Sequence, residues 1–163
     1  MCAECHSTDL KKNFDPKTQT YSTTWKQIDV GCQACHGPAS THLARVADRP
    51  EASARPVSQS TPTPSDFPVD LAGASPAPQI EMCARCHSRR AVLWGDYKHG
   101  KPFMDTHLPS LLDTSLYFTD GQIDDEVYEY GSFLQSKMHQ KGLRCSDCHN
   151  PHSLEIRAPG NAL

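Results

Sequence analysis

The eight cysteines of this sequence form four Cys-x-x-Cys pairs, and their spacing suits one particular chemistry. The pairs are Cys2 with Cys5, Cys32 with Cys35, Cys83 with Cys86, and Cys145 with Cys148. Each second cysteine is followed directly by a histidine, these being His6, His36, His87 and His149. Two thiols at this spacing can form thioether bonds to the two vinyl groups on one edge of a porphyrin, and the next imidazole then reaches the iron. Because Cys-x-x-Cys-His is the attachment motif of c-type haem, the sequence predicts four covalently bound haems.

Other uses of paired cysteines explain the pattern less well. Zinc ribbons use such pairs as metal ligands, and a disulfide framework is typical of secreted chains. Neither gives the four adjoining histidines a role. A thioredoxin-like redox pair needs a βαβ context, which the sequence lacks. Haem attachment is the interpretation that uses every cysteine and every adjoining histidine.

The composition fits a chain that is organised by its cofactors. Of the 163 residues only 37% are hydrophobic and 7% are aromatic, and thirteen prolines and nine glycines interrupt regular structure. Side chains alone would form only a small core, and four large apolar macrocycles would supply the missing surface. We therefore expect a mostly irregular chain with a few α-helices and little β-structure, wrapped around four covalently bound c-type haems.

Charge and hydropathy exclude two classes of protein. The formal net charge is -3, which argues against a nucleic-acid-binding surface, since such a surface is basic. No apolar run approaches the roughly 18 residues of a membrane span. Haem is attached to thiols outside the cytoplasm, yet no signal peptide precedes Cys2. We therefore expect a processed chain or a piece of a longer one, located in the periplasm or outside the cell.

The sequence suggests two haem-binding segments separated by a linker. Residues 1–49 hold the first two motifs, and residues 80–163 hold the other two. Between them, residues 50–79 form a linker with seven prolines, a composition that favours extended chain. We expect the two segments to form one haem-centred unit overall.

Two segments show helical signals. Pro38 suits the first position of a helix, so a short helix is expected over residues 39–47. Residues 122–141 have apolar side chains at helical spacing, acidic residues in the first turn and Gly142 as a plausible stop. A helix over about 122–141 is therefore predicted just before the fourth motif.

Five histidines lie outside the motifs and are candidates for the second axial ligand of each iron. Four bis-histidine haems need four of them, and we expect these to be His42, His107, His139 and His152. His99 is the expected spare, because Lys98 and Lys101 flank it in a polar setting. Methionine is the alternative ligand and would raise the reduction potential. The methionine candidates are Met82, Met104 and Met138.

Several stretches resemble multihaem c-type cytochromes, and most closely the haem region of large cytochromes with tetratricopeptide repeats. The resemblance rests on residues 1–8, residues 31–38, and residues 130–152 (YGSFLQSKMHQKGLRCSDCHNPH). It implies covalent haems, a second histidine after the Cys-His-Gly-Pro turn (here His42) and another in the Cys-His-x-Pro-His turn (here His152). It also implies that relatives continue past residue 163 into a further haem motif.

The leading functional interpretation is electron transfer through a chain of four bis-histidine haems in an exported cytochrome. Its partners would be redox proteins or other haem cytochromes. Similar cytochromes form extracellular filaments in which one subunit lends a histidine to the next, so a homopolymer is compatible with the spare histidine. The alternative is a fragment of a multihaem oxidoreductase, with one open iron acting on a small nitrogen or sulfur oxyanion. Lys98, His99 and Lys101 would then be the first groups to inspect.

A chain with so little apolar sequence should depend on haem for its stability. We expect the haem-free chain to lack a stable fold, as small metal-dependent domains do without their metal. The haem-loaded protein should show a cooperative thermal transition by near-ultraviolet circular dichroism, and the haem-free chain should show none. A comparable transition in both forms would contradict this expectation.

Overall fold

The computed structural model describes residues 2–48, 66–110, 112–158 and 160. Over these residues, short helices and two antiparallel hairpins are joined by irregular segments. The chain divides into two compact units, Met1–Asp70 and Leu71–Leu163. The division falls inside the predicted 50–79 linker, and residues 50–65 of that linker lie outside the described residues.

The first unit places a hairpin between two haem motifs. Its described helices are α1 (Cys2–Cys5), α2 (Cys32–His36) and α3 (Ser40–Asp48). The hairpin strands are β1 (Phe14–Asp15) and β2 (Thr20–Tyr21). Phe14 pairs with Tyr21 across the hairpin, with ring centroids 4.8 Å apart. Such cross-strand aromatic pairs stabilise a hairpin that is otherwise short.

Thr8 connects the end of the first motif to the start of the second. Its side chain is almost fully buried, with 2% relative exposure. The Thr8 hydroxyl donates a hydrogen bond to the carbonyl of Asp29 at 2.8 Å and accepts one from the N–H of Gly31 at 2.9 Å. Because Gly31 directly precedes Cys32, these two bonds fix where the second motif begins relative to the first.

The second unit carries the other two motifs and, among the described residues, most of the buried apolar ones. Its described helices are α4 (Ala77–Ala84), α5 (Glu129–Gln135), α6 (Lys137–Gln140) and α7 (Cys145–Cys148). A hairpin of β3 (Arg90–Val92) and β4 (His107–Pro109) pairs Val92 with His107.

The core of the second unit is small and centres on Phe103. Phe103 is fully buried and clusters with Ile80 and Ala84 of α4 and Tyr130 of α5. The Phe103 ring lies 5.3 Å from the Tyr130 ring, and the backbone N–H of Phe103 donates to Oε2 of Glu81 at 2.6 Å. These contacts hold α4 against α5, the helices on which the third and fourth motifs depend.

The predicted helix over 122–141 is wrong in its first part and interrupted in its second. Helix α5 begins only at Glu129, because residues 123–127 bond elsewhere: the N–H of Arg89 donates to the carbonyl of Val127 at 3.1 Å. Ser136 is extended and separates α5 from α6, and its Oγ accepts from the N–H of His139 at 3.1 Å. Within the described residues, no helix is long and apolar enough to cross a membrane.

Truncating Phe103 should destabilise the haem-loaded protein. Phe103→Ala removes a fully buried ring, and such substitutions cost about 3–5 kcal/mol of unfolding free energy. Phe118→Ala is the matched control, because Phe118 is 55% exposed and its loss should cost no more than about 0.5 kcal/mol. Denaturant unfolding followed by circular dichroism measures both. Equal losses would show that Phe103 is not a core residue.

Candidate haem-binding sites

All four Cys-x-x-Cys-His motifs form helical turns. In the first, third and fourth motifs, the N–H of the histidine donates to the carbonyl of the first cysteine at 3.0, 2.9 and 3.3 Å. The second motif lies entirely within α2. Residues three apart in a helix share a face, so the two thiols of each motif lie on the same side of their turn. The local fold therefore places each pair of thiols as two thioether bonds to one porphyrin edge would need them.

In the second unit, the third and fourth motifs line the same cavity of about 420 Å³. This volume lies within the range of ligand sites in proteins, about 300–1,000 Å³. The walls combine motif residues with apolar side chains of α4, α5 and α6. The motif residues are Cys83, His87, Cys145, Cys148 and His149, and the apolar ones include Ile80, Ala84, Phe133 and Met138.

Side chains of α4 and of the fourth motif hold α7 beside this cavity. Oε1 of Gln79 accepts a hydrogen bond from the N–H of Ser146 at 2.9 Å. At the start of α7, Oδ2 of Asp147 accepts from the N–H of Arg144 at 2.9 Å. The Arg144 guanidinium donates to the carbonyl of Gly73 at 3.0 Å. The fourth motif is therefore fixed to the helix that ends in the third motif.

The first cysteines of the third and fourth motifs interact directly. A hydrogen bond from the Cys83 thiol lowers the pKa of Cys145 from 9.0 to about 7, although partial burial and nearby Asp147 oppose the shift. Hydrogen bonding to the charged form favours ionisation. The shift therefore favours the thiolate, which is the nucleophilic form of cysteine.

These residues fit a c-type haem. Each motif offers two thiols on one side of a helical turn and an imidazole directly after them, and the cavity of the second unit adds apolar walls. Among the described residues, no group of three or more His, Cys, Asp or Glu side chains could hold a metal ion by itself.

In the first unit, one aromatic ring contacts two of the predicted ligands. The ring of Phe67 lies 5.3 Å from the motif histidine His36 and 4.9 Å from His42, measured between centroids. The rings of His42 and Phe67 are stacked with an angle of 25°. Nδ1 of His42 also lies 3.8 Å from Oδ2 of Asp66. The structure thus brings a predicted proximal and a predicted second ligand to the same side chain.

His107 and His139 occupy defined positions in the second unit. His107 is buried, stacks on Phe103 at 4.8 Å, and shares a 2.8 Å hydrogen bond between its Nδ1 and Oγ1 of Thr106. His139 packs edge-on against Phe133, a wall residue of the cavity, at 5.7 Å. His139 is therefore close to the cavity, whereas His107 lies against the core ring beside it.

The remaining predicted ligands lie nearer the surface. His6 and His152 are exposed, and the backbone N–H of His152 donates to Oδ1 of Asn150 at 3.0 Å. His99, the expected spare, has its Nε2 3.5 Å from the Arg85 guanidinium and its ring 5.5 Å from that of Tyr97. Lys98 pairs with Asp96 at 3.1 Å.

Several side chains that shape the sites carry no sequence signal. Asp66 and Phe67 lie within the predicted proline-rich linker of residues 50–79, and Gln79 and Thr8 lie outside every motif. Their roles depend on contacts between distant parts of the chain: Gln79 meets Ser146, and Phe67 meets His42. The hydrophobic pattern of a single segment cannot reveal such pairs.

Comparison with known proteins gives one family. Residues 1–37 match the model of the family described as cytochrome c554 and c-prime. No curated protein and no solved structure gives a significant match to the chain. The matched residues include the first two motifs, and the similarity indicates a c-type cytochrome with covalently bound haem iron. The finer resemblance to cytochromes with tetratricopeptide repeats stays a prediction.

Covalent attachment within the matched region can be tested motif by motif. Protein produced with a c-type haem attachment system should yield proteolytic peptides around residues 2–6 and 32–36 that keep haem after acidified-acetone extraction. The double variant Cys2→Ala/Cys5→Ala should lose haem from the first peptide alone. Cys32→Ala/Cys35→Ala should lose it from the second alone, so each variant is the control for the other. Mass spectrometry gives the result, and haem removed by the extraction from unaltered protein would contradict covalent binding.

Proposed function

We propose that this protein transfers electrons through a chain of four c-type haems, one on each Cys-x-x-Cys-His motif. The observation that carries the proposal is the shared cavity of the second unit, in which Cys83, His87, Cys145 and His149 line one space. Electron transfer needs cofactors that lie close together. Haems attached at these two motifs would be neighbours, because the Cys83 and Cys145 side chains lie within hydrogen-bond reach of each other.

The surroundings of the cavity suit an electron carrier. Bound haem would supply one-electron chemistry, and the protein tunes it through axial ligands, burial and hydrogen bonds. Ile80 and Ala84 are buried at the wall, and Phe133 packs against the same core. Apolar walls exclude water and lower the local dielectric constant, which stabilises the less charged state of an enclosed group.

In this proposal, His42, His107, His139 and His152 are the second axial ligands, and bis-histidine ligation saturates each iron. His107 is buried, and Thr106 and Phe103 orient its ring. These contacts support it as a ligand, since ligand histidines are usually fixed through their second nitrogen. Proximity to the cavity supports His139. Saturated ligation favours electron transfer, because a six-coordinate iron cannot bind substrate.

The wider setting follows from the same chemistry. The chain would wrap around its four haems in the periplasm or outside the cell and exchange electrons with redox proteins or other haem cytochromes. A homopolymer, with one histidine lent between subunits, extends this proposal to a longer conductor.

A second candidate function is a multihaem oxidoreductase acting on a small nitrogen or sulfur oxyanion. The observation that favours it is a cluster of Arg85, Tyr97 and His99, in which the Arg85 guanidinium lies 4.2 Å from the centroid of the Tyr97 ring. Arg85 belongs to the third motif itself. A cation, a phenol and an imidazole near an open iron would stabilise negative charge on a substrate.

Carbon monoxide binding separates the two functions. For the electron carrier, reduced wild-type protein should bind no carbon monoxide, because all four irons are saturated. Each of His42→Ala, His107→Ala, His139→Ala and His152→Ala should open one haem of four, seen as one equivalent of carbon monoxide taken up. His99→Ala is the matched control and should open none. The Soret difference spectrum measures the uptake.

Two results would overturn the electron-carrier proposal. Uptake of one equivalent by wild-type protein would show an open iron and favour the oxidoreductase. A haem content below four per chain in the pyridine haemochrome assay would contradict the four-haem chain itself.

A further inference from the structure

The His42 ring is held by two consecutive residues, Asp66 and Phe67, that lie within the predicted proline-rich linker. Phe67 stacks on the ring at 4.9 Å between centroids. Asp66 presents Oδ2 to Nδ1 of the same ring at 3.8 Å. Phe67 therefore restrains the plane of the imidazole, and Asp66 places a negative charge beside Nδ1 and not beside Nε2.

Asp66 is itself fixed by a second residue of α3. Its side chain is only 11% exposed, and Oδ1 lies 2.5 Å from Nη2 of Arg45. His42 and Arg45 are three positions apart and share a face of the helix. The carboxylate thus bridges two side chains of α3, one oxygen to each, and it cannot turn away from His42 without breaking the ion pair with Arg45.

We infer that Asp66 is a positioning residue that makes Nε2 of His42 the iron-binding nitrogen and increases the electron donation of this ligand. The inference rests on the proposed function, in which His42 is a second axial ligand. The nitrogen that a histidine uses for a metal is set by the partner of its other nitrogen, and carboxylates commonly take that second place. Because Nδ1 faces Asp66, Nε2 would be the nitrogen that binds a haem iron.

The charges predict the sign of the effect on the haem. A negative charge facing Nδ1 increases the electron donation of a histidine ligand through its other nitrogen. Greater electron donation would stabilise ferric iron and lower the reduction potential of that haem. The distance of 3.8 Å exceeds a hydrogen bond, so the effect is electrostatic, and Arg45 weakens it by pairing with the same carboxylate. Removing Asp66 and removing Arg45 should act in opposite directions.

The test compares four variants of the haem-loaded protein. Asp66→Asn keeps the shape and removes the charge, so one of the four components of a spectroelectrochemical titration should shift to a more positive potential. Arg45→Gln should shift the same component to a more negative potential. Asp66→Glu keeps the charge and should restore a value near that of the wild type. Asp48→Asn, an exposed acid at the end of α3, is the matched control and should shift none.

Electron paramagnetic resonance distinguishes a change in the His42 ligand from a long-range effect of charge on the reduction potential. If Asp66 acts through His42, Asp66→Asn changes the low-field g value of one low-spin haem and leaves the other three unaltered. A change in potential with no change in any g value would overturn the positioning role. An unchanged potential with unchanged g values would overturn it as well.

The outcome for His42→Ala distinguishes failure of this inference from failure of the proposed function. If His42→Ala converts one low-spin haem to high spin while Asp66→Asn has no effect, His42 is a ligand and only the role of Asp66 is wrong. If His42→Ala leaves all haems low-spin, His42 is not an axial ligand. The proposed ligand set then fails together with the inference built on it.

Discussion

The hydrogen bond that closes each Cys-x-x-Cys-His turn is the interaction on which the sites depend. In the first, third and fourth motifs, the histidine N–H donates to the carbonyl of the first cysteine, and α2 contains the same turn in the second. This bond brings the two thiols to one side of the turn and fixes the backbone of the histidine beside them. The surrounding chain is short helices and irregular segments, so the turns, more than extended secondary structure, define where chemistry can occur.

The two units support their motifs by different physical means. In the first unit, a hydroxyl at Thr8 and an ion pair at Asp66 fix the chain, and few of the apolar side chains that the structure describes there are buried. In the second, α4 and α5 pack around Phe103 and form apolar walls beside Cys83 and Cys145. A cofactor in the first unit would therefore have a more polar environment than a cofactor in the second unit.

Sequence patterns predicted the local features of this fold and missed those that depend on distant contacts. The motif turns follow from spacing alone, and α3 begins close to Pro38, as expected for a helix over 39–47. Gly142 follows α6 with a positive φ of 78°, the left-handed conformation that commonly ends a helix. Residues 122–128 had helical periodicity, but bonds from Arg89 and to Leu116 hold them in irregular structure. Phe67 contacts His42, and Gln79 contacts Ser146. Each contact joins two distant segments, and the sequence of either segment alone does not predict it.

Thr8 shows how a residue outside every motif can be as constrained as the motifs themselves. Its hydroxyl acts as donor to Asp29 and acceptor from Gly31 in a site closed to water. Serine alone among the other small residues offers both functions in that space, whereas valine would keep the shape and remove both hydrogen bonds, each worth about 0.5–1.5 kcal/mol. Tolerance to substitution is therefore narrow at position 8, and variation there would be a sensitive record of how two adjacent Cys-x-x-Cys-His motifs have kept their spacing during evolution.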